Sequence, residues 1–85
     1  MMIPTVHLNG THGPNLLDQV TDASQAAWKL MKALENMSPH GRDYYVQSPS
    51  AFKQAQMEHE DRYKLVKSLL DELEQLAEGI ADQLD

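Results

Sequence analysis

The chain has 85 residues, seven of them basic and thirteen acidic, giving a formal net charge of −6 and a pI near 5.0. A chain of this length holds one domain, residues 1–85, with a thin core that readily borrows burial from a second copy. The acidic balance argues against a nucleic-acid groove, which needs a basic stripe to neutralise phosphates, and without cysteine there is neither disulfide nor thiol chemistry.

Residues 1–11 read as an extended arm. Ile3, Val6 and Leu8 favour extended backbone, and Asn9-Gly10 ends it in a turn. Val6 and Leu8 share one side of such a segment, Thr5, His7 and Asn9 the other. A lone strand beside helices must lie along them or pair with a second subunit, and Pro4 restricts that pairing. The arm carries neither a basic segment nor a long apolar run, so no signal peptide is read and a cytoplasmic protein is expected.

The first helix is expected over 14–37, capped by Thr11 or Asn15 with Pro14 in its first turn. Leu16, Leu17, Val20, Ala23, Ala27, Leu30, Met31, Leu34 and Met37 step by threes and fours, one face of an amphipathic helix. Trp28 lies off that stripe and either widens the core or belongs to a contact between subunits; the stripe is complete without it, which favours the contact.

Residues 38–48 break the helical pattern. Pro39 and Pro49 remove backbone donors and disfavour helix before them, Gly41 suits a turn, and Ser48-Pro49 reads as an N-cap followed by a helix start. The connection of about eleven residues exceeds the roughly two to eight usual between packed helices. His40, Arg42, Tyr44 and Tyr45 make it a candidate site, against the plainer reading of an aromatic plug at the open end of a hairpin.

The second helix is expected over 49–84. Its seam is Phe52, Ala55, His59, Tyr63, Val66, Leu69, Leu70, Leu73, Leu76, Ala77, Ile80 and Leu84. Gly79 is its weak point, costing about 1 kcal/mol relative to Ala. Because this helix is the longer, its tail from Leu73 to Leu84 is expected to overhang and to need cover from the arm or another chain. The opposite, acidic face of that tail reads as solvated.

His59 lies on the seam, with Arg62 close behind. An antiparallel hairpin brings both toward the loop, and an assembly would add Asn9 from an arm. Asn9, His40, Arg42, Tyr44, Tyr45, His59 and Arg62 are therefore the candidate ligand-binding residues. Arginines fork onto phosphate and aromatic rings stack on bases, so the ligand class is anionic and flat, such as a nucleotide. The competing reading puts His59 in a buried polar network. The four histidines form no i, i+4 pair, so no metal site is expected. Neither a nucleophile elbow nor a Gly-rich phosphate loop occurs, so no catalytic residue and no cofactor is assigned and the chain is read as a non-enzyme. A hydrolase using His40 or His59 as base is the weakest reading.

The run Val6-His7-Leu8-Asn9-Gly10-Thr11, then His40-Gly41-Arg42-Asp43-Tyr44-Tyr45, then Ala51-Phe52 leading into a helix with His59 and Arg62, resembles small uncharacterised accessory proteins of tailed phages and prophages. The resemblance covers most of the chain and carries over no catalytic residue. It implies a phage accessory protein acting in the host cytoplasm, of a size often used for inhibitors, adaptors or oligomeric sponges that sequester signalling nucleotides of host defence.

The expected fold is all-α: an antiparallel helical hairpin with an extended N-terminal arm, assembled as a homo-oligomer through Val6, Leu8, Trp28, Leu73, Leu76 and Ile80. The expected function is non-catalytic binding of an anionic nucleotide, with a helical adaptor for a host or virion protein as the alternative. Itself and a small anionic ligand are the expected partners, without nucleic acid or membrane.

Overall fold

The computed structural model describes residues 1–84. Two helices, α1 over Gly13–Asn36 and α2 over Ala51–Ala81, pack against each other, and no strand occurs among the described residues. The helical-hairpin expectation therefore holds. Among the described residues, no helix is long and apolar enough to cross a membrane.

Three contacts fix an antiparallel register along the whole hairpin. Leu84 packs on Gly13, the Tyr63 hydroxyl donates to Glu35 Oε1 at 3.1 Å, and Ser38 Oγ lies 3.5 Å from His59 Nε2. The start of α1 thus faces the end of α2. With 24 residues against 31, α2 exceeds α1 by about 10 Å, and this register puts the surplus at the loop end. The expected overhanging tail is corrected here: the long connection lets α2 begin beyond the end of α1, so the uncovered turns are its first ones.

The helix starts also differ from expectation. His12 occupies the N-cap of α1 without a side-chain cap, so neither Thr11 nor Asn15 serves, although Pro14 does sit in the first turn. At α2 the N-cap is Ser50, not Ser48, and its hydroxyl caps no backbone amide. The Ser48 carbonyl accepts from the Ala51 amide at 3.3 Å instead, so Ser48-Pro49 forms a lead-in turn.

The segment before α1 folds back on the last turns of α2. Gln83 holds it there: its Oε1 accepts the Val6 amide at 2.8 Å while its Nε2 donates to the Pro4 carbonyl at 2.8 Å and the Gly79 carbonyl at 3.1 Å. One side-chain amide thus meets backbone groups that a neighbouring strand would otherwise meet. Ile3 lies on Gly79, where an added Cβ would stand 2.5 Å from its Cδ1. The glycine read from sequence as a weak point is a seat for an isoleucine. Ile80, beside it, is fully enclosed.

The core is thin. Ala27, Leu34, Leu70 and Ile80 are the buried apolar side chains, with His59 the buried polar one. The α2 seam faces inward as expected except at Leu69. On α1 the inward row takes Ser24 in place of Ala23 and leaves Leu30 and Met37 exposed. The molecule is a rod of 61 × 20 × 17 Å, and its radius of gyration of 18.6 Å compares with about 12 Å for a compact domain of this length.

Candidate functional site at the loop end

The connection between the helices is built from short-range hydrogen bonds. Residues Gly41–Asp43 make one 3₁₀ turn, whose Gly41 carbonyl accepts from the Tyr44 and Tyr45 amides, both at 3.0 Å. His40 Nδ1 accepts the Arg42 amide at 3.2 Å and so caps this turn. A second turn follows, with the Gln47 amide on the Tyr44 carbonyl at 2.9 Å. The connection then lies against the exposed first turns of α2: the Tyr44 and Phe52 rings stack with centroids 6.4 Å apart and planes inclined by 29°.

Between this connection and α2 lies an open hollow of about 270 Å³. Met37, Pro39, Tyr44 and Gln47 line one side; Ala51, Gln54, Ala55, Glu58, His59 and Arg62 line the other. Its cause is local. Ala51 and Ala55 are small, and α1 has ended before it can fill the space beside them.

Polar groups ring this hollow. Glu58 is held from both sides, accepting from Gln54 Nε2 at 3.2 Å and facing Arg62 Nη2 at 3.9 Å. At that distance and that exposure the ion pair is weak, and most of the five guanidinium donors stay open to a ligand. His59 forms part of the wall and is 9% exposed. Ser38 Oγ gives its single hydrogen to the Glu35 carbonyl at 3.0 Å, so toward His59 it can only accept. The other ring nitrogen, Nδ1, is buried with no hydrogen-bond partner among the described residues. An unpaired buried polar atom of this kind costs on the order of 1–3 kcal/mol.

Of the seven candidate ligand residues, Tyr44, His59 and Arg62 come together at this hollow. The other four lie elsewhere. Tyr45 is exposed and lines a different hollow with Gly41, Ser48, Pro49 and Phe52. The ring nitrogen of His40 is engaged by its own turn. Arg42 is exposed and makes no ion pair among the described residues. Asn9 sits in a turn just before α1, at the opposite end of the rod. Sequence reasoning missed Gln47, Gln54 and Glu58; the signal available was the pair of alanines at 51 and 55, which make room, with polar side chains one turn away.

Among the candidate interface residues, Ile80 is enclosed by its own chain and Leu73 and Leu76 are partly buried. Val6 packs on Gly13. Leu8 is 99% exposed, and Trp28 is half-exposed with Lys32 Nζ over its ring at 5.4 Å. No three metal-ligating side chains converge among the described residues. The chain matches no protein-family model, no curated protein and no solved structure.

Proposed function

We propose that this chain is a non-catalytic binding protein whose ligand enters the hollow at the loop end, and that the ligand is a small, flat anion of the nucleotide class. The observation that supports this reading is the meeting of Tyr44, Arg62 and His59, distant in sequence, around a hollow with polar neighbours. Arg62 takes an anionic group through its free donors, the Tyr44 ring offers a stacking face, and Gln47 and Gln54 supply hydrogen bonds of either sense. Arg42 lies outside the hollow and serves no first contact. A nucleotide signal of host defence, sequestered without turnover by a phage accessory protein working as a homo-oligomer in the host cytoplasm, is the fullest form of this reading. The phage part of it stands on resemblance alone.

The test is a thermal-shift series with linear and cyclic nucleotides. A ligand that binds only the folded chain raises stability by roughly 2.7 kcal/mol at a hundredfold excess over Kd. A rise with one nucleotide class, unchanged ligand after incubation, and no rise in Arg62→Ala is the expected pattern. No rise with any nucleotide would favour the adaptor reading, in which the acidic tail and the Trp28 face meet a host or virion protein. Consumption of the ligand would favour a hydrolase.

A further inference from the structure

We propose that a second copy of this chain docks on one defined face of the hairpin, with the two rods antiparallel, so that the loop end of each lies over the arm-bearing end of the other. This goes past the assembly proposed above by assigning the face and the direction, and it does not depend on what the hollow binds.

The face is found by comparing two residues of α2. Leu69 and Ile80 are three turns apart and differ by only about 20° around the helix axis. Ile80 is fully enclosed, whereas Leu69 is 51% exposed. The difference is the N-terminal segment: Ile3, Pro4 and Val6 reach Gly79, Gln83 and Gly13 at that end and do not extend to the middle of the rod. Leu65, one turn before Leu69, is 73% exposed on the same side.

The first helix continues this face. Tyr63 and Glu35 meet on one flank of the two-helix layer. Around α1, Leu30, Ala26 and Ala33 project to the flank away from Glu35; around α2, Leu65 and Leu69 project to the flank away from Tyr63. In an antiparallel pair these are the same flank, and the register sets Leu65 and Leu69 at the level of residues 28–33 of α1. Apolar side chains of both helices therefore form one uncovered surface midway along the rod. Trp28 is on the opposite flank and is left out.

Area and charge identify the occupant as another copy. The chain exposes 6468 Å², about 1,400 Å² more than a compact monomer of 9.6 kDa would. A standard interface takes roughly 800 Å² from each partner. Residues 29–67, the loop half of the rod, carry all seven basic side chains and five carboxylates, a formal +2. Among the described residues the other half carries seven carboxylates and no basic residue, a formal −7. Two such rods repel when parallel and attract when antiparallel. Shape agrees with charge, because the overlying N-terminal segment at one end and the hollow at the other open on the same face, so an isologous pair brings the one opposite the other.

The experiment is sedimentation equilibrium on the full chain, with dipolar EPR for direction. The wild type is expected to run at twice 9.6 kDa at tens of micromolar. Leu69→Lys is expected to run as a monomer with the wild-type far-UV circular dichroism, as is Leu65→Lys; both positions are exposed, so neither substitution empties the core. The chain has no cysteine, so Ser50→Cys takes a single spin label near the loop end. Antiparallel pairing places the two labels roughly 50 Å apart, and parallel pairing brings them within roughly 30 Å. A monomer at 100 micromolar, a dimer indifferent to both lysines, or the short label distance would each overturn the proposal. A ligand that fails to bind would leave it standing.

Discussion

Gln83 Oε1 accepts the Val6 amide hydrogen at 2.8 Å, joining the two ends of the chain through one side chain. Gln83 Nε2 donates to the Pro4 carbonyl, so the N-terminal segment is held by a pair of bonds as a strand partner would hold it. Replacing Gln83 by Ala removes both. Each exposed neutral bond contributes about 0.5–1.5 kcal/mol. Gln83→Ala is expected to lower stability by about 1–2 kcal/mol in chemical denaturation and to speed hydrogen exchange at Val6. Gln83→Glu retains the acceptor and loses the donor, so it is expected to fall between.

Gly79 makes the same point from the helix side. At an exposed helical site Gly→Ala gains about 1 kcal/mol. Here the new Cβ meets Ile3 at 2.5 Å. Gly79→Ala alone is therefore expected to gain nothing and to loosen the N-terminal segment. In an Ile3→Ala background the same substitution is expected to recover about 1 kcal/mol. A double-mutant cycle measured by urea unfolding reads this coupling, and strict additivity would contradict the packing described.

Much of this was legible before the structure. The 3.6-residue spacing marks both helices and nearly all of the inward seam, because burial and helical period are one signal. The register was not legible, since helix lengths alone do not say at which end a surplus falls; the Gly13–Leu84 contact decides it. The seven candidate ligand residues share a chemistry, and three of them meet. Arg42 and His40 do not join the three: the turn's own hydrogen bond, from the Arg42 backbone amide to the His40 ring, uses the imidazole locally, and the exposed Arg42 side chain lies outside the hollow. Leu69 read as seam because it keeps the period, yet it lies at the edge of the inward arc.

His59 carries a cost that a substitution can reveal. Its Nδ1 is buried and unpaired. His59→Leu is of similar size and removes the orphan atom, so stability is expected to hold or rise by about 1 kcal/mol. Binding at the hollow is expected to weaken, because the wall changes shape and polarity. Paired melting and binding curves separate the two effects. A large loss of stability would mean that the imidazole is satisfied in solution.

Glu58 is the one carboxylate lining the hollow, and it holds Arg62 at 3.9 Å. Glu58→Gln keeps a polar side chain of the same size, releases the guanidinium and removes a like charge facing an anion. It is expected to tighten binding of an anionic ligand several-fold with little change in melting temperature, since an exposed ion pair contributes about 0–1 kcal/mol. Calorimetric titration of the two proteins side by side checks this.

In the function proposed above, the loop-end hollow binds an anion through Arg62. The most direct measurement is isothermal titration of the nucleotide selected in the thermal-shift series into wild type, Arg62→Ala, Arg62→Lys and Arg42→Ala. Loss of binding is expected in Arg62→Ala with an unchanged melting temperature, incomplete rescue by lysine because a planar fork is replaced by a point charge, and near-normal binding in Arg42→Ala. Full affinity in Arg62→Ala, or loss of affinity confined to Arg42→Ala, would contradict it.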